Sequence, residues 1–162
     1  MPFPSMQALF DPFFPEGLQW YWKGDFVKSL PDDAIETHIA HAVNAPTELS
    51  LMHLYPIDGA VQRVSKDATA WNTRDARWSM VIAGISADPK QADALKTWGR
   101  AYWKAIHPFN LEGGYVNFLM DDEVQWASPG DVRRQLQASS VKAKYDPENL
   151  FRVNQDIPPA AA

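Results

Sequence analysis

The side chains of this sequence that could exchange a proton near neutral pH are its four histidines: His38, His41, His53 and His107. His38 and His41 stand three residues apart in a predicted helix, and this spacing could direct both rings toward one metal ion. Neither a Glu-x-x-His nor a His-Glu-x-x-His pattern surrounds them, so a solvated helix face is the favoured interpretation. No metal site is therefore predicted.

His53 differs from the other histidines because it lies in the middle of a predicted strand. Alternation of side chains places Leu51, His53 and Tyr55 on one face of that strand. An imidazole there could accept a proton from a bound molecule, or it could be a hydrogen-bonded residue of the core. The sequence leaves both interpretations open.

Tyr115 and Asn117 form a second pair with a common orientation. They lie two residues apart in a strand predicted over residues 113–120, so both side chains leave the same face. An ordinary tyrosine has a pKa of about 10. It removes a proton only where a donor or a positive charge stabilises the phenolate, or where proton and hydride move together. A half-buried tyrosine with a paired hydroxyl is the structural alternative.

The elements that must position these residues follow the order strand, helix, three strands, helix, strand, helix. The strands are predicted over residues 19–27, 48–55, 60–65, 76–86 and 113–120. The first helix is predicted to begin within residues 29–33, with Ser29 or Asp32 as its cap, and to run to about residue 43, and the others span residues 88–106 and 131–144. Ile35, Ile39 and Val43 share one face of the first helix. This order is typical of an α+β fold in which helices cover one face of an antiparallel sheet of about five strands.

The composition argues against several classes of function. The 162 residues include no cysteine, which excludes disulfides and thiolate catalysis. The net charge is -5 without a cluster of Lys or Arg, which argues against a nucleic-acid partner. No apolar run approaches the roughly 20 residues of a membrane span. The first residues lack the basic start of a signal peptide, so a cytoplasmic location is expected.

Three stretches, in their order along the chain, resemble the berberine-bridge-enzyme-like family of FAD-linked oxidases. Residues 58–74 (DGAVQRVSKDATAWNTR) are similar to the family's G-G-A-V-x-R-V and D-A-T-A-F-x-x-R motifs, and residues 114–118 (GYVNF) to its Y-x-N active-site strand. Residues 141–158 (VKAKYDPENLFRVNQDIP) resemble its closing K-x-K-Y-D-P-x-N-L-F-x-x-N-Q-x-I. The chain departs from the family pattern where Asp58 replaces a glycine, Thr73 a histidine and Asp156 an asparagine.

The resemblance implies an enzyme of two parts. An N-terminal domain binds FAD, and a substrate domain lays an antiparallel sheet, backed by helices, over the flavin ring. Residues 18–120 then correspond to part of the substrate-binding domain and residues 121–162 to the C-terminal berberine-like segment, while the proline-rich residues 1–17 are expected to be an irregular arm. Nothing in the sequence resembles the FAD domain, so we expect this chain alone not to bind FAD.

The resemblance also implies roles for individual residues. Tyr115 matches the tyrosine of Y-x-N, the usual candidate for the base that takes the substrate proton. His53 lies on a strand that faces the active site in the family, so Tyr115 and His53 are the predicted catalytic residues. The predicted contacts to the flavin or to its domain are Arg63, Asn117, Asn154 and Gln155.

The predicted function is the substrate-binding and active-site portion of an FAD-dependent oxidoreductase. It would oxidise an alcohol, a sugar or an aromatic compound by hydride transfer to flavin, together with an FAD domain or subunit supplied separately, and we expect the isolated chain to be inactive. A flavin-free binding module and a truncated remnant are the alternatives. In either case an uncovered apolar sheet face predicts self-association.

Overall fold

The computed structural model describes residues 1–13, 15–66, 68, 69, 71, 73–111, 113, 115, 118, 120, 139–152 and 158–160. Its helices are α1 (Phe3–Gln7), α2 (Asp32–Ala42) and α3 (Ala92–Ile106), and its strands are β1 (Gln19–Val27), β2 (Leu51–Pro56) and β3 (Trp78–Ser86). Short 3-10 helices span Ala8–Phe13, Pro89–Gln91 and His107–Phe109. Residues 139–145 are also helical. No helix within the described residues is long and apolar enough to span a membrane.

The three strands form one sheet in the order β1-β3-β2, and both outer strands run antiparallel to β3. The register pairs Met52 with Ile82 on one face and His53 with Val81 on the other. The first face is here called the helix face, since α2 and α3 pack on it. The second, the His53 face, consists of Trp20, Trp22, Gly24 and Phe26 of β1, Leu51, His53 and Tyr55 of β2, and Ser79, Val81, Ala83 and Ile85 of β3.

The main core lies between the helix face and α3. Val27, Met80 and Ile82 are completely buried there against Tyr102 and Ile106 of α3. Full burial of an aliphatic side chain of this size stabilises a fold by about 1.5–3 kcal/mol. α3 therefore covers one face of the sheet and leaves the second face for other contacts.

A glycine in β3 lets α3 approach the sheet closely. A Cβ atom added at Gly84 would lie 3.0 Å from Cβ of Leu95 and 3.3 Å from its carbonyl oxygen. Because the nearest atoms include helix backbone, a larger side chain would push α3 away from the sheet.

The sheet has three strands among the described residues, where the sequence predicted about five. The predicted strand 60–65 is wrong: residues 59–63 form turns, and the N–H of Arg63 donates to the carbonyl of Ala60. The side chain of Gln62 donates instead to the carbonyl of Ala76. These local bonds replace the cross-strand ladder that the alternation of residues had suggested.

The other predicted strand, 113–120, falls partly outside the described residues. Of its positions, 113, 115, 118 and 120 are described, and none is in a strand. The preceding residue Leu111 makes a single bridge with Phe26. Residues 131–138 of the last predicted helix also lie outside the described residues.

One further expectation needs correction. The N-terminal arm is not irregular, because α1 and a 3-10 helix occupy most of it, and residues 1–12 are all exposed. In α2, the apolar residues Ile35, Ile39 and Val43 do share one face, but they are 43%, 58% and 75% exposed, and the buried residues are Ala34 and His38. The small side chain of Ala34 and the polar contact of His38, rather than aliphatic packing, therefore bring α2 against the core.

Candidate active-site surface

His53 and Tyr55 form a hydrogen-bonded pair on the His53 face. They are two residues apart in β2, so both side chains leave the same side of the strand. Nδ1 of His53 lies 2.9 Å from the hydroxyl oxygen of Tyr55, and the ring centroids are 5.5 Å apart. Tyr55 is 43% exposed, so the pair is accessible to a bound molecule.

Phe118 links this pair to Tyr115. Its ring stacks on Tyr55 at 5.9 Å and meets Tyr115 edge-on at 5.2 Å. Phe118 can lie on the sheet because β1 has no side chain at Gly24, where an added Cβ would come within 2.9 Å of the Cβ of Phe118. A glycine inside an otherwise bulky strand is the sequence signal for such a close approach.

Trp71 continues the chain of rings on the other side of Tyr115. Its ring lies 5.4 Å from Tyr115 and 5.2 Å from Phe26 of β1. The result is a continuous set of aromatic contacts, here called the aromatic row: His53, Tyr55, Phe118, Tyr115, Trp71 and Phe26. Each edge-to-face or offset contact of this kind adds about 0.5–1.5 kcal/mol to the burial of the rings.

The loop that carries Trp71 is organised by a buried arginine. The guanidinium group of Arg74 is only 8% exposed and donates to the carbonyl of Val61, at 3.0 Å, and to the hydroxyl of Thr69. These two bonds to loop oxygens fix the loop's path at the edge of the sheet, although Nε of Arg74 is buried without a hydrogen-bond partner. Arg74 thereby places Trp71 against Tyr115.

Within the part of the chain that the structure describes, three further polar atoms on this side of the molecule are buried without a hydrogen-bond partner: Nε1 of Trp22, Nε1 of Trp71 and Oγ of Ser79. Ser79 pairs in register with both Phe26 and Tyr55, so its hydroxyl lies beneath the middle of the aromatic row. Unpaired buried polar groups cost free energy, and they are most often found where a water or a ligand completes the bonding.

The structure brings together two of the predicted site residues and separates a third. Tyr115 and His53 belong to one aromatic row on one face of the sheet. Arg63 lies exposed in the turn that replaces the predicted strand. Asn117, Asn154 and Gln155 lie outside the described residues. The roles of all six stay predictions.

Sequence reasoning missed Trp71 and Phe118 as partners of the predicted residues. It placed Tyr55 on the same face as His53, at a spacing of two, but did not predict the hydrogen bond between them. The close approach of Phe118 to the sheet could have been predicted from Gly24, because this glycine interrupts an otherwise bulky strand. The contact of Trp71 with Tyr115 depends on how Arg74 folds its loop, which has no periodic pattern.

Comparison with known proteins identifies the C-terminal segment and the fold. A family model described as "Berberine and berberine like" matches residues 139–158. An FAD-linked oxidoreductase of Dictyostelium discoideum is 27% identical over 161 residues, which are 98% of this chain and 35% of that protein. The FAD-linked oxidoreductase tazG of Aspergillus terreus is 34% identical over 111 residues, which are 67% of this chain and 22% of that protein.

Solved structures share the fold at low sequence identity. Berberine bridge enzyme from Eschscholzia californica matches 92% of this chain and 34% of its own, with a TM-score of 0.74 and 22% identity. The glycopeptide hexose oxidase DBV29, solved with teicoplanin, matches 86% of this chain and 32% of its own, with a TM-score of 0.75 and 21% identity. The chain thus spans about a third of the length of most of these proteins. With the family match and the relatives, this places the chain in the berberine bridge enzyme-like family of FAD-linked oxidoreductases, of which it is a partial member.

Proposed function

We propose that this chain is the substrate-binding and active-site portion of an FAD-dependent oxidoreductase. Its substrate would be an alcohol, a sugar or an aromatic compound, and most of the flavin-binding residues would lie outside this sequence. The observation that carries the proposal is the aromatic row, which joins Tyr115 and His53 on one sheet face. Family membership supplies the redox class, and the row supplies the surface on which the chemistry would take place.

The residues of the His53 face fit a flat conjugated ring. The row offers partly exposed aromatic side chains in contact with one another, which is the kind of surface on which planar ligands pack. The unpaired Nε1 atoms of Trp22 and Trp71 are hydrogen-bond donors, and Oγ of Ser79 can donate or accept. They would pair with the edge of a ring, or with waters around it, once neighbouring side chains adjust.

FAD, when bound, would accept the hydride that the substrate loses. The task of this chain is to orient the substrate and to take its proton. Tyr115 would receive the proton on its oxygen as a phenolate, which a donor or a positive charge in the complete site would have to stabilise, while the rings of Phe118 and Trp71 on either side would fix the position of the ring. Nδ1 of His53, hydrogen-bonded to Tyr55, would hold a polar group of the substrate or relay the proton.

Arg63, Asn117, Asn154 and Gln155 are proposed to contact the flavin or its domain. Arg63 is exposed, which leaves its guanidinium group available to an anionic flavin on a neighbouring domain. The proposal for the other three follows from the motifs Y-x-N and N-Q-x-I alone.

A second candidate function is a flavin-free binding module. The observation that favours it is the exposure of the aromatic row, because the 43% exposed ring of Tyr55 could contact a flat ligand without any redox step. Such a module would keep the aromatic row as a surface for a flat ligand or for a second copy of the chain. It would bind without oxidising.

The proposal is tested by titrating the purified chain with FAD and recording the visible spectrum and the quenching of flavin fluorescence. We expect no tight binding by the chain alone. Addition of a separately expressed flavin domain from a relative should produce a stable complex with flavin absorbance and substrate-dependent bleaching. Tight binding by the chain alone, or a complex that forms but never bleaches with alcohols, sugars or aromatic substrates, would contradict it.

A further inference from the structure

Asp25 is a buried carboxylate on the helix face that the proposed chemistry does not use. Its side chain is 1% exposed. Oδ2 accepts hydrogen bonds from Nδ1 of His107 at 2.7 Å and from Nδ2 of Asn110 at 3.1 Å. Oδ1 accepts from the backbone N–H of Phe26 at 3.0 Å. A buried charge costs several kcal/mol unless it is fully bonded, so this arrangement holds its partners in defined places.

The partners of Asp25 belong to the segment that follows α3. His107 begins the 3-10 helix His107–Phe109, and its ring stacks on Trp103 at 4.2 Å. Nε1 of Trp103 donates to the carbonyl of Gly24 at 3.2 Å. The end of α3 is therefore attached to β1 at two consecutive residues, through the backbone of Gly24 and the side chain of Asp25.

The chain then joins the edge of β1. The N–H of Leu111 donates to the carbonyl of Phe26 at 2.8 Å, and the two residues form a bridge. A few residues later the chain reaches the aromatic row with Tyr115. The ring of Phe26 also contacts Trp71, at 5.2 Å. Phe26 therefore contacts both Leu111, which precedes Tyr115 in the chain, and Trp71, whose ring packs against Tyr115.

From these contacts we propose that Asp25 is a positioning residue for Tyr115. It fixes the N–H of Phe26 on one side and the segment from His107 to Asn110 on the other, and so sets the point where the chain crosses from the helix face to the His53 face. An aliphatic residue at this position would fill the same space without gathering these donors. The substitution would free residues 107–111 from β1 and let Tyr115 move relative to Trp71 and Phe118.

The significance of this position for catalysis rests on the proposed function, but the positioning itself does not. It is tested in the chain alone by 19F NMR after incorporation of 3-fluorotyrosine, with the Tyr115 signal identified by its loss in Tyr115→Phe. Hydrogen exchange of the Leu111 amide is measured in parallel. Flavin is absent from both measurements, so failure of the proposed oxidase would leave their outcome intact.

The first variant is Asp25→Asn, which keeps the shape of the side chain but removes its charge. The second is Asn110→Ala, which removes one hydrogen-bond partner of Asp25 at a half-buried position. It provides the test if Asp25→Asn does not fold. Tyr102→Phe is the control, because it weakens the core between α2 and α3 without touching residues 107–111. We expect both variants to move the Tyr115 signal and to speed exchange at Leu111 by about tenfold, as loss of one buried hydrogen bond to a charge allows.

Tyr102→Phe should leave the Tyr115 signal in place. The proposal is overturned if folded Asp25→Asn and Asn110→Ala give the wild-type Tyr115 signal and wild-type exchange at Leu111. It is also overturned if Tyr102→Phe moves the signal as far as they do, because the effect would then reflect stability alone.

Discussion

The hydroxyl oxygen of Tyr102 lies 2.7 Å from Nδ1 of His38, and this contact joins α3 to α2 inside the core. Tyr102 is completely buried, and its burial raises the pKa of its phenol to about 12. The ring of His41 stacks on Tyr102 at 4.9 Å, and Nε1 of Trp98 donates to the carbonyl of His41 at 3.0 Å. Polar contacts to α3 thus hold α2, whose aliphatic residues face solvent.

Replacing Tyr102 by Phe should therefore weaken the attachment of α2. The variant loses the hydroxyl and leaves Nδ1 of His38 unpaired in the core, for which we expect a loss of about 1–2 kcal/mol in the free energy of unfolding. Urea denaturation followed by circular dichroism measures it. Tyr55→Phe is a matched control, since it removes a similar bond to His53 from an exposed site, where we expect a loss below about 0.5 kcal/mol.

Stability should fall on mild acidification because of His38. Burial, and then the charge of His41, lower the pKa of His38 from its ordinary value of 6.5. Between 6.5 and the lowered value the unfolded chain binds a proton at this site and the folded chain does not, so stability falls as the pH drops below 6.5. The urea midpoint measured from pH 8 to pH 5 should show this decline, and it should be smaller in His38→Gln. An equal decline in the variant would assign the effect to another group.

The sheet and the helices show which parts of the fold a sequence pattern specifies. β1 was predicted at its observed bounds, and β3 and α3 nearly so, because long apolar alternation and a helical repeat leave few alternatives. The stretch 60–65 alternates as well, but its backbone bonds locally, from the N–H of Arg63 to the carbonyl of Ala60, and Arg74 donates to the carbonyl of Val61. A period of two therefore indicates a strand only where a neighbouring strand supplies the hydrogen bonds.

The sequence proposed two residues of the candidate site, whose roles stay predictions, but it did not predict the arrangement of the site. Motif similarity indicated Tyr115 and His53. In α2, the periodic residues Ile35, Ile39 and Val43 show that a helical repeat predicts which residues share a face but not which face is buried. The contacts that place the site join residues distant in sequence, such as Asp25 with His107 and Asn110. Those contacts depend on sheet register and on the path of the chain after α3, neither of which has a local signal.

The turn after the last helical residues should depend on Asp146. Its carboxylate bonds the ammonium group of Lys142 and accepts from the N–H groups of Leu150, at 2.8 Å, and Phe151, at 3.1 Å. Asn149 within the turn has a φ of +52°, a strained value for a residue other than glycine. In Asp146→Ala we expect hydrogen exchange at the amides of Leu150 and Phe151 to become about tenfold faster.

The pH dependence of this turn gives a second check. The hydrogen bond from Lys142, followed by those from the two amides, holds the pKa of Asp146 below its ordinary value of 3.8. The carboxylate therefore stabilises the turn above pH 3.8, and this contribution is lost as the pH falls through the lowered pKa.

The control for Asp146→Ala is Glu148→Ala, which removes an exposed carboxylate from the same turn. If amide exchange in Glu148→Ala were as fast as in Asp146→Ala, the role assigned to Asp146 would be contradicted.

Self-association is expected to use the His53 face. Tyr55 is 43% exposed there, next to the apolar residues of the aromatic row. A charge placed in the row by Tyr55→Lys should lower the fraction of dimer or larger species in sedimentation equilibrium, because association would bury it. Ile39→Lys, on the exposed stripe of α2, is the comparison. A larger effect of Ile39→Lys would move the interface to the helix, and a wild-type chain that stays monomeric would remove the prediction.

The decisive substitution for the proposed chemistry is Tyr115→Phe, studied in the complex with a flavin domain from a relative. The change removes one oxygen atom and keeps the ring that contacts Phe118 and Trp71, so the fold and the KM should change little. Loss of a group that accepts the substrate proton lowers kcat by about 10²–10⁴-fold. Tyr145→Phe removes a hydroxyl from a side chain that is 74% exposed and should leave kcat unchanged. A Tyr115→Phe complex that bleaches its flavin at the wild-type rate would show that the proton leaves by another route. The next variant would then be His53→Asn, because the imidazole of His53 is the second proposed proton acceptor in the aromatic row.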